Sequence, residues 1–310
     1  MADPRLYQIA MLASLLVYGM VWLEFDITLA RAAVLLATVL GTQAVCDWAE
    51  KRPVNARSAL ISGLSLCLLL RTNRTDIAIL AAIVTIAAKF LVRIQGKHVF
   101  NPTNAGIVAM LLLTDHVWVS PGQWGSVAFF AFLMACLGSV VVNRAARSDV
   151  TYAFIACYCA LLFGRSWYLG EPMTIPFHRL QSGALLLFTF FMISDPKTTP
   201  DSRAGRVLFA ALVAFGGWYV QFRLFRTNGL LWSLAAFSLA VPLIDWLLPG
   251  TRYAWTLHKE QRNEETTRVR SDAGRHPGLV RPAALRLLRL LHLEGGYKAV
   301  QQGVAGSPGS

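Results

Sequence analysis

Charge is scarce in this 310-residue chain: Asp, Glu, Lys and Arg make up 15% of it, where a soluble globular protein carries about 25%. Acids are the scarcer sign, 17 against 29 basic residues, for a net charge of +12. Hydrophobic residues reach 55%. This balance excludes an ordinary cytosolic enzyme and a disordered protein. Cysteines are few, and Cys46, Cys67, Cys136, Cys157 and Cys159 all lie in or beside apolar runs rather than in polar loops that a disulfide would staple. Cys157 and Cys159 are two residues apart, about 200° around a helix, which suits small buried hydrophobes better than a shared metal.

Several catalytic signatures are missing as well. The six histidines offer no pair four residues apart, so a metal site or a bis-His haem has little support. There is no Gly-rich phosphate loop and no Gly-x-Ser-x-Gly elbow. The basic tail lacks interleaved aromatics and the other positive charges follow membrane topology, so a nucleic-acid partner is not expected.

Long apolar runs are what the sequence does have. A membrane-spanning helix needs about 20 apolar residues, and ten segments approach that, near 7–23, 28–48, 58–70, 76–95, 103–119, 124–142, 151–169, 180–194, 205–222 and 229–248. The first lacks a small-residue cleavage site and reads as a retained span. Segments 58–70 and 180–194 are short, the mark of broken helices in inverted repeats. Ser62-Gly63 after Arg57 answers to Ser182-Gly183 after Arg179, and Thr103-Asn104 to Thr227-Asn228, both with an offset of about 120 residues. Chance similarity between Leu-rich helices competes with that reading.

With the N-terminus inside, the inner loops hold ten Lys/Arg and the outer loops six, namely Arg71, Arg74, Arg165, Arg179, Arg223 and Arg226. Residues 251–310 add ten more basic residues and five acids. The expectation is an all-α polytopic protein of the bacterial inner membrane, with about ten transmembrane helices in two inverted five-helix repeats, near 7–120 and 124–248. Both termini are expected in the cytoplasm. A membrane domain over 1–250 precedes a basic tail, in which 282–294 reads as an amphipathic helix able to lie on anionic lipid or dock on a partner.

Charges inside spans cost at least about 2.5–3.5 kcal/mol each and need a reason. Lys89 and Arg93 are four apart in the fourth segment, hence on one helix face, where an anionic ligand, an ion pair or plain snorkelling would explain them. Arg31, Asp47 and Asp245 lie nearer segment ends, where snorkelling suffices. The stretch Lys97-His98-Val99-Phe100-Asn101-Pro102-Thr103-Asn104 joins two apolar segments. Pro102 is placed to open the next helix, whose free N–H groups would face an anion or a polar ring edge. Ser194-Asp195-Pro196 forms a second polar break; both breaks also read as simple capped turns.

Lys97-His98-Val99-Phe100-Asn101-Pro102, Ser182-Gly183 with Phe190-Phe191-Met192-Ile193-Ser194-Asp195-Pro196, and Val241-Pro242-Leu243-Ile244-Asp245 together resemble the RnfD/NqrB family. These are membrane subunits of Rnf and sodium-pumping NADH:quinone oxidoreductase complexes. The resemblance implies ten helices in two inverted repeats, like those of urea and ammonium channels. It also implies two flavins, one non-covalent within the membrane and one FMN esterified to Thr in a Ser-Gly-Ala-Thr segment. The corresponding loop here, His116 to Ser126, has no such segment, so no covalent FMN is expected. That departure resembles the RnfD-like membrane proteins of enediyne antibiotic gene clusters.

The resemblance therefore implies a non-covalent riboflavin or FMN near Lys89, Arg93, His98, Phe100, Asn101, Pro102, Asn104, Ser182, Gly183 and Asp195, serving transmembrane electron transfer with a redox or biosynthetic partner protein. Two other functions compete: a permeation module for a small or anionic solute, and a membrane scaffold without redox chemistry. Membrane lipids are expected partners in each case.

Overall fold

The computed structural model describes residues 4–23, 25–94, 96–120 and 148–251. The chain divides into two units, 1–253 and 254–310, and everything below concerns the first. The expected sixth segment, 124–142, and the amphipathic helix at 282–294 lie outside the described residues.

Two long helices open the fold, α1 (Pro4–Trp22) and α2 (Leu29–Ala49). Thr28 caps α2 by accepting from the Arg31 N–H. α3 (Ala56–Leu69) starts at Asn55, whose side chain accepts from the Ser58 N–H. It stops short, and the chain continues extended as β1 (Leu70–Thr72). After α4 (Thr75–Leu91), a tight hairpin of β2 (Arg93–Ile94) and β3 (Lys97–His98) turns at Gly96 with φ 79°. α5 (Pro102–Leu113) is short too and gives way to β4 (Val117–Val119). β1 and β4 pair antiparallel, with Arg71 opposite Trp118.

The segment expected at 103–119 is thus not one helix. Thr114, Asp115 and His116 break it, and the β-branched Val117 and Val119 favour an extended strand. Pairing β1 with β4 satisfies backbone groups that two truncated helices would otherwise leave open. The segment expected to 95 likewise ends at Leu91, so Arg93 sits in the hairpin and not on a helix face with Lys89.

The second half holds α6 (Ser148–Leu169), α7 (Thr174–Leu180) and α8 (Gly183–Leu187), which runs on as a π-helical turn over Phe188–Met192. α9 (Arg203–Phe222), α10 (Gly229–Ser238) and α11 (Val241–Leu247) follow. α10 and α11 meet at a 51° bend with Pro242 in the first turn of α11. Gly229, preceded by the left-handed Asn228, opens α10 where an added Cβ would lie 2.5 Å from the Gly217 carbonyl oxygen.

Among the described residues four helices, α1, α2, α6 and α9, are long and apolar enough to cross a membrane, and the bent α10–α11 pair makes five. Large apolar side chains stand exposed along the helices and at their ends, among them Leu91, Leu112, Trp48, Trp167 and Trp246, as lipid-facing residues do. The protein is therefore a mostly helical, multi-pass membrane protein. α2 packs on α3 and α4, α4 on α5, α6 on α9, α9 on α10, and α5 meets α10. Leu35, Leu66, Ile86, Ile107 and Met110 fill the core of the first half, and Phe154, Phe188 and Phe209 that of the second.

Candidate functional site

Polar side chains gather where α2 and α4 end and α3 and α5 begin. Lys89 is 3% exposed. Its ammonium donates to the Ser58 carbonyl at 3.0 Å, the Ser58 hydroxyl at 3.1 Å and Gln43 Oε1 at 3.5 Å. Gln43 Nε2 in turn donates to Asp47 Oδ2 at 2.8 Å, as does the Asn55 N–H. Asp47 is therefore buried and paired rather than snorkelling. A buried cation and a buried anion share one amide, which offsets the cost of removing both from water. Arg31 also has a structural task, donating to the Thr72 and Asn73 carbonyls.

Arg93 donates through Nε to the Lys89 carbonyl, pairs with Glu50 at 3.1 Å and lies over the Phe90 ring at 4.8 Å. In the hairpin, His98 is half-buried with Nδ1 enclosed and unpartnered among the described residues. Burial above all, then the charges of Arg93, Lys89 and Lys197, pushes its imidazole down to about 4. His98 is thus neutral at physiological pH.

Asn101 caps α5 by accepting from the Asn104 N–H at 3.1 Å. Its Nδ2 reaches 91 and 94 residues along the chain, to the Met192 carbonyl and to Asp195 Oδ2, each at 3.4 Å. Asp195 is itself set by the Lys197 N–H at 3.0 Å, while its carbonyl accepts from the hydroxyls of Thr198 and Thr199. Both polar breaks are thus ordered turns, held to each other. Pro102 is buried and Phe100 half-buried. Asn104, with no exposed surface, donates to the Leu231 carbonyl of α10 at 3.2 Å, and its Oδ1 has no partner among the described residues.

Ser182 and Gly183 start the short helix whose far end carries Asp195. Ten helical residues separate the two ends by roughly 15 Å. The structure thus joins Lys89, Arg93, His98, Asn101, Asn104 and Asp195 through neighbouring elements, while Ser182 and Gly183 stand at the other end of that helix.

Sequence reasoning missed a second cluster beside the first. Lys97 Nζ donates to Asp201 Oδ1 at 3.0 Å and to Asp245 Oδ2 at 2.8 Å. Asp245 Oδ1 accepts from the Asp201 N–H at 2.7 Å, so Asp245 is bound and not snorkelling. Arg206 extends the cluster, pairing with Asp149 and donating to the Asp201 carbonyl. Asp201 and Asp245 lie 104 and 148 positions beyond Lys97, a separation that no local spacing could reveal.

Residues 113–253 match the model of the NQR2, RnfD, RnfE family. Relatives named as the RnfD subunit of an ion-translocating oxidoreductase complex include one from Erwinia tasmaniensis, 29% identical over 149 residues, which are 47% of this chain and 38% of the relative. Another, from Pectobacterium atrosepticum, is 31% identical over 105 residues, 34% of this chain and 29% of the relative. One from Escherichia coli K12 is 29% identical over 129 residues, 40% and 34% of the two chains. The match covers about a third of the length of these relatives. Over residues 113–253 the chain is thus similar to the NQR2, RnfD, RnfE family, as the Ser-Asp-Pro and Val-Pro-Leu-Ile-Asp motifs led us to expect.

Proposed function

We propose that the chain acts as an RnfD-like membrane subunit that binds a non-covalent flavin, riboflavin or FMN, and takes part in transmembrane electron transfer within an oxidoreductase complex. The observation that carries this reading is the hydrogen bond from Asn101 to Asp195. It joins the Phe-Asn-Pro and Ser-Asp-Pro motifs, in the stretch that holds His98 Nδ1 and Asn104 Oδ1, both without a partner among the described residues.

The residues fit a flavin in part. Lys89 and Arg93 have protein partners and act on a ligand through their charge alone. His98 Nδ1 and Asn104 Oδ1 remain as buried atoms to take its N–H or hydroxyl groups, with Phe100 for the ring face. A bound flavin supplies a carrier for one or two electrons. The field of Lys89 favours added negative charge nearby, and the neutral His98 does not compete with it. The Asn101 cap fixes the start of α5, so its first N–H groups point the same way in each turnover.

The same reading gives ten passes in two inverted five-helix units, in the inner membrane, with both termini and the 251–310 tail in the cytoplasm. Two features support it. The hairpin after α4 bonds to the turn before α9, so the neighbours α2 and α4 run opposite to α6 and α9. Short helices recur in both halves, α3 and α5 in the first, α8 and α10 in the second. Electron donor and acceptor would come from partner subunits.

The test is the absorbance spectrum of detergent-purified protein, followed by acid release of any flavin. We expect near-stoichiometric flavin, fully released by acid, and at least a two-fold loss in His98→Ala and in Asn104→Ala of unchanged elution volume. A colourless wild type, or equal flavin in all three, would overturn the reading in favour of permeation or scaffolding.

A further inference from the structure

At the end of the bundle opposite the hairpin, two arginines lie over one phenylalanine and two more follow it in the chain. The Arg165 guanidinium lies 4.4 Å from the Phe222 ring centroid and that of Arg179 4.7 Å from the same ring. Arg223 follows Phe222 directly, and Arg226 comes three residues later. Arg165 has a carboxylate, Glu171, at 2.6 Å. No described carboxylate pairs with Arg179, Arg223 or Arg226, and all three are exposed. The patch therefore carries three uncompensated positive charges among the described residues.

Helix capping explains part of this. The amides of Arg223, Leu224 and Arg226 return to the Tyr219 and Val220 carbonyls, and a cation suits a helix C-terminus. It does not explain Arg165 and Arg179, which come from α6 and α7 to the same ring. Nor does it explain the aromatics around them. Phe225 is 85% exposed, and its φ of 51° lies in the left-handed region, a conformation that costs a non-glycine residue about 1 kcal/mol or more. Trp167 and Tyr168, 79% and 85% exposed, stand two and three residues beyond Arg165. Exposed aromatics beside arginines at helix ends mark the level of lipid headgroups, and guanidinium groups bind phosphate oxygens in pairs.

We propose that Arg179, Arg223 and Arg226, with Arg165 behind them, form a site for the phosphate headgroup of an anionic phospholipid, and that Phe225, Trp167 and Tyr168 seat the glycerol and upper acyl region beside it. The chemistry recognised is a phosphodiester anion whose headgroup carries no cation of its own, at a membrane interface. Binding here is independent of any flavin.

The test uses the full chain purified in mild detergent, with native mass spectrometry counting retained lipid and scanning fluorimetry reading thermal stability. Wild type is offered dioleoyl phosphatidylglycerol or dioleoyl phosphatidylcholine, with inorganic phosphate and a polyglutamate peptide as competitors. We expect at least five-fold more phosphatidylglycerol than phosphatidylcholine retained, with a higher midpoint in the former. We expect that preference to be lost in the R179Q/R223Q/R226Q variant and kept in R203Q, at the other end of α9. R179Q alone, on a separate segment from α9, should lower retention at least two-fold and serves if the triple variant does not fold. Equal retention of the two lipids by wild type, or an undiminished preference in R179Q and the triple variant, would overturn the proposal. Displacement of the lipid by millimolar phosphate would make free phosphate the ligand, and by polyglutamate an acidic protein; either would also overturn it.

Discussion

His98 shows how one residue's surroundings set its chemistry. Its enclosed Nδ1 and the cations around it hold the folded-state imidazole near 4, below the ordinary value of about 6.5. The unfolded chain therefore takes up a proton that the folded chain refuses between those values. Stability contributed by a neutral His98 is present above about pH 6.5 and falls as pH drops toward 4, by up to about 3 kcal/mol. We expect the thermal midpoint in detergent to fall between pH 7.5 and 5, and His98→Gln to remove a measurable part of that fall. An unchanged pH dependence in the variant would refute it. Gly106 makes a steric case at the same scale. An added Cβ would lie 1.9 Å from Thr85 Oγ1 and 3.0 Å from the Ala81 carbonyl. Gly106→Ala should cost about 1–3 kcal/mol by overpacking, read as a lower midpoint, and Thr85→Ala in the same chain should restore part of it. A Gly106→Ala protein as stable as wild type would contradict the close approach of α4 and α5.

Among the elements, sequence and structure agree best where a helix begins. The Asn101-Pro102 pair announces a capped helix start, and α5 starts there. Asn101→Ala should cost about 1–2 kcal/mol through the lost cap and loosen the Ser194–Asp201 turn through the lost contacts with Met192 and Asp195. Faster amide exchange at Thr198 and Thr199 would report that loosening, and exchange equal to wild type would count against it. Helix ends were harder to read. Val117 to Val119 are apolar enough to read as part of the segment before them, and their pairing with Leu70 to Thr72 shows both to be strands. The partner of each lies some 47 residues away in the chain, beyond the reach of periodicity. Lys89 was legible as an unusual residue, but not its engagement by Gln43 and Ser58, because that depends on how three helix ends converge.

For the whole molecule, the Lys97 cluster ties the first half to the second. Removing one member of a largely buried ionic cluster leaves the others uncompensated. Lys97→Gln would leave Asp201 and Asp245 facing each other, and we expect a loss of about 2 kcal/mol. Adding Asp245→Asn should recover part of it, and a double-mutant cycle on the thermal midpoint measures the coupling. Additive losses would mean that the cluster does not act as a unit. The order of synthesis gives Lys97 an earlier role as well. Asp201 leaves the ribosome 104 residues after Lys97, about 5–20 s later at ordinary elongation rates, and Asp245 later still. In the orientation proposed above, Lys97 during that interval adds a positive charge to a loop between two inserting helices, which favours keeping that loop on the cytoplasmic side. On that orientation the same ammonium serves the nascent chain before Asp201 and Asp245 are made and fastens the finished one once they arrive.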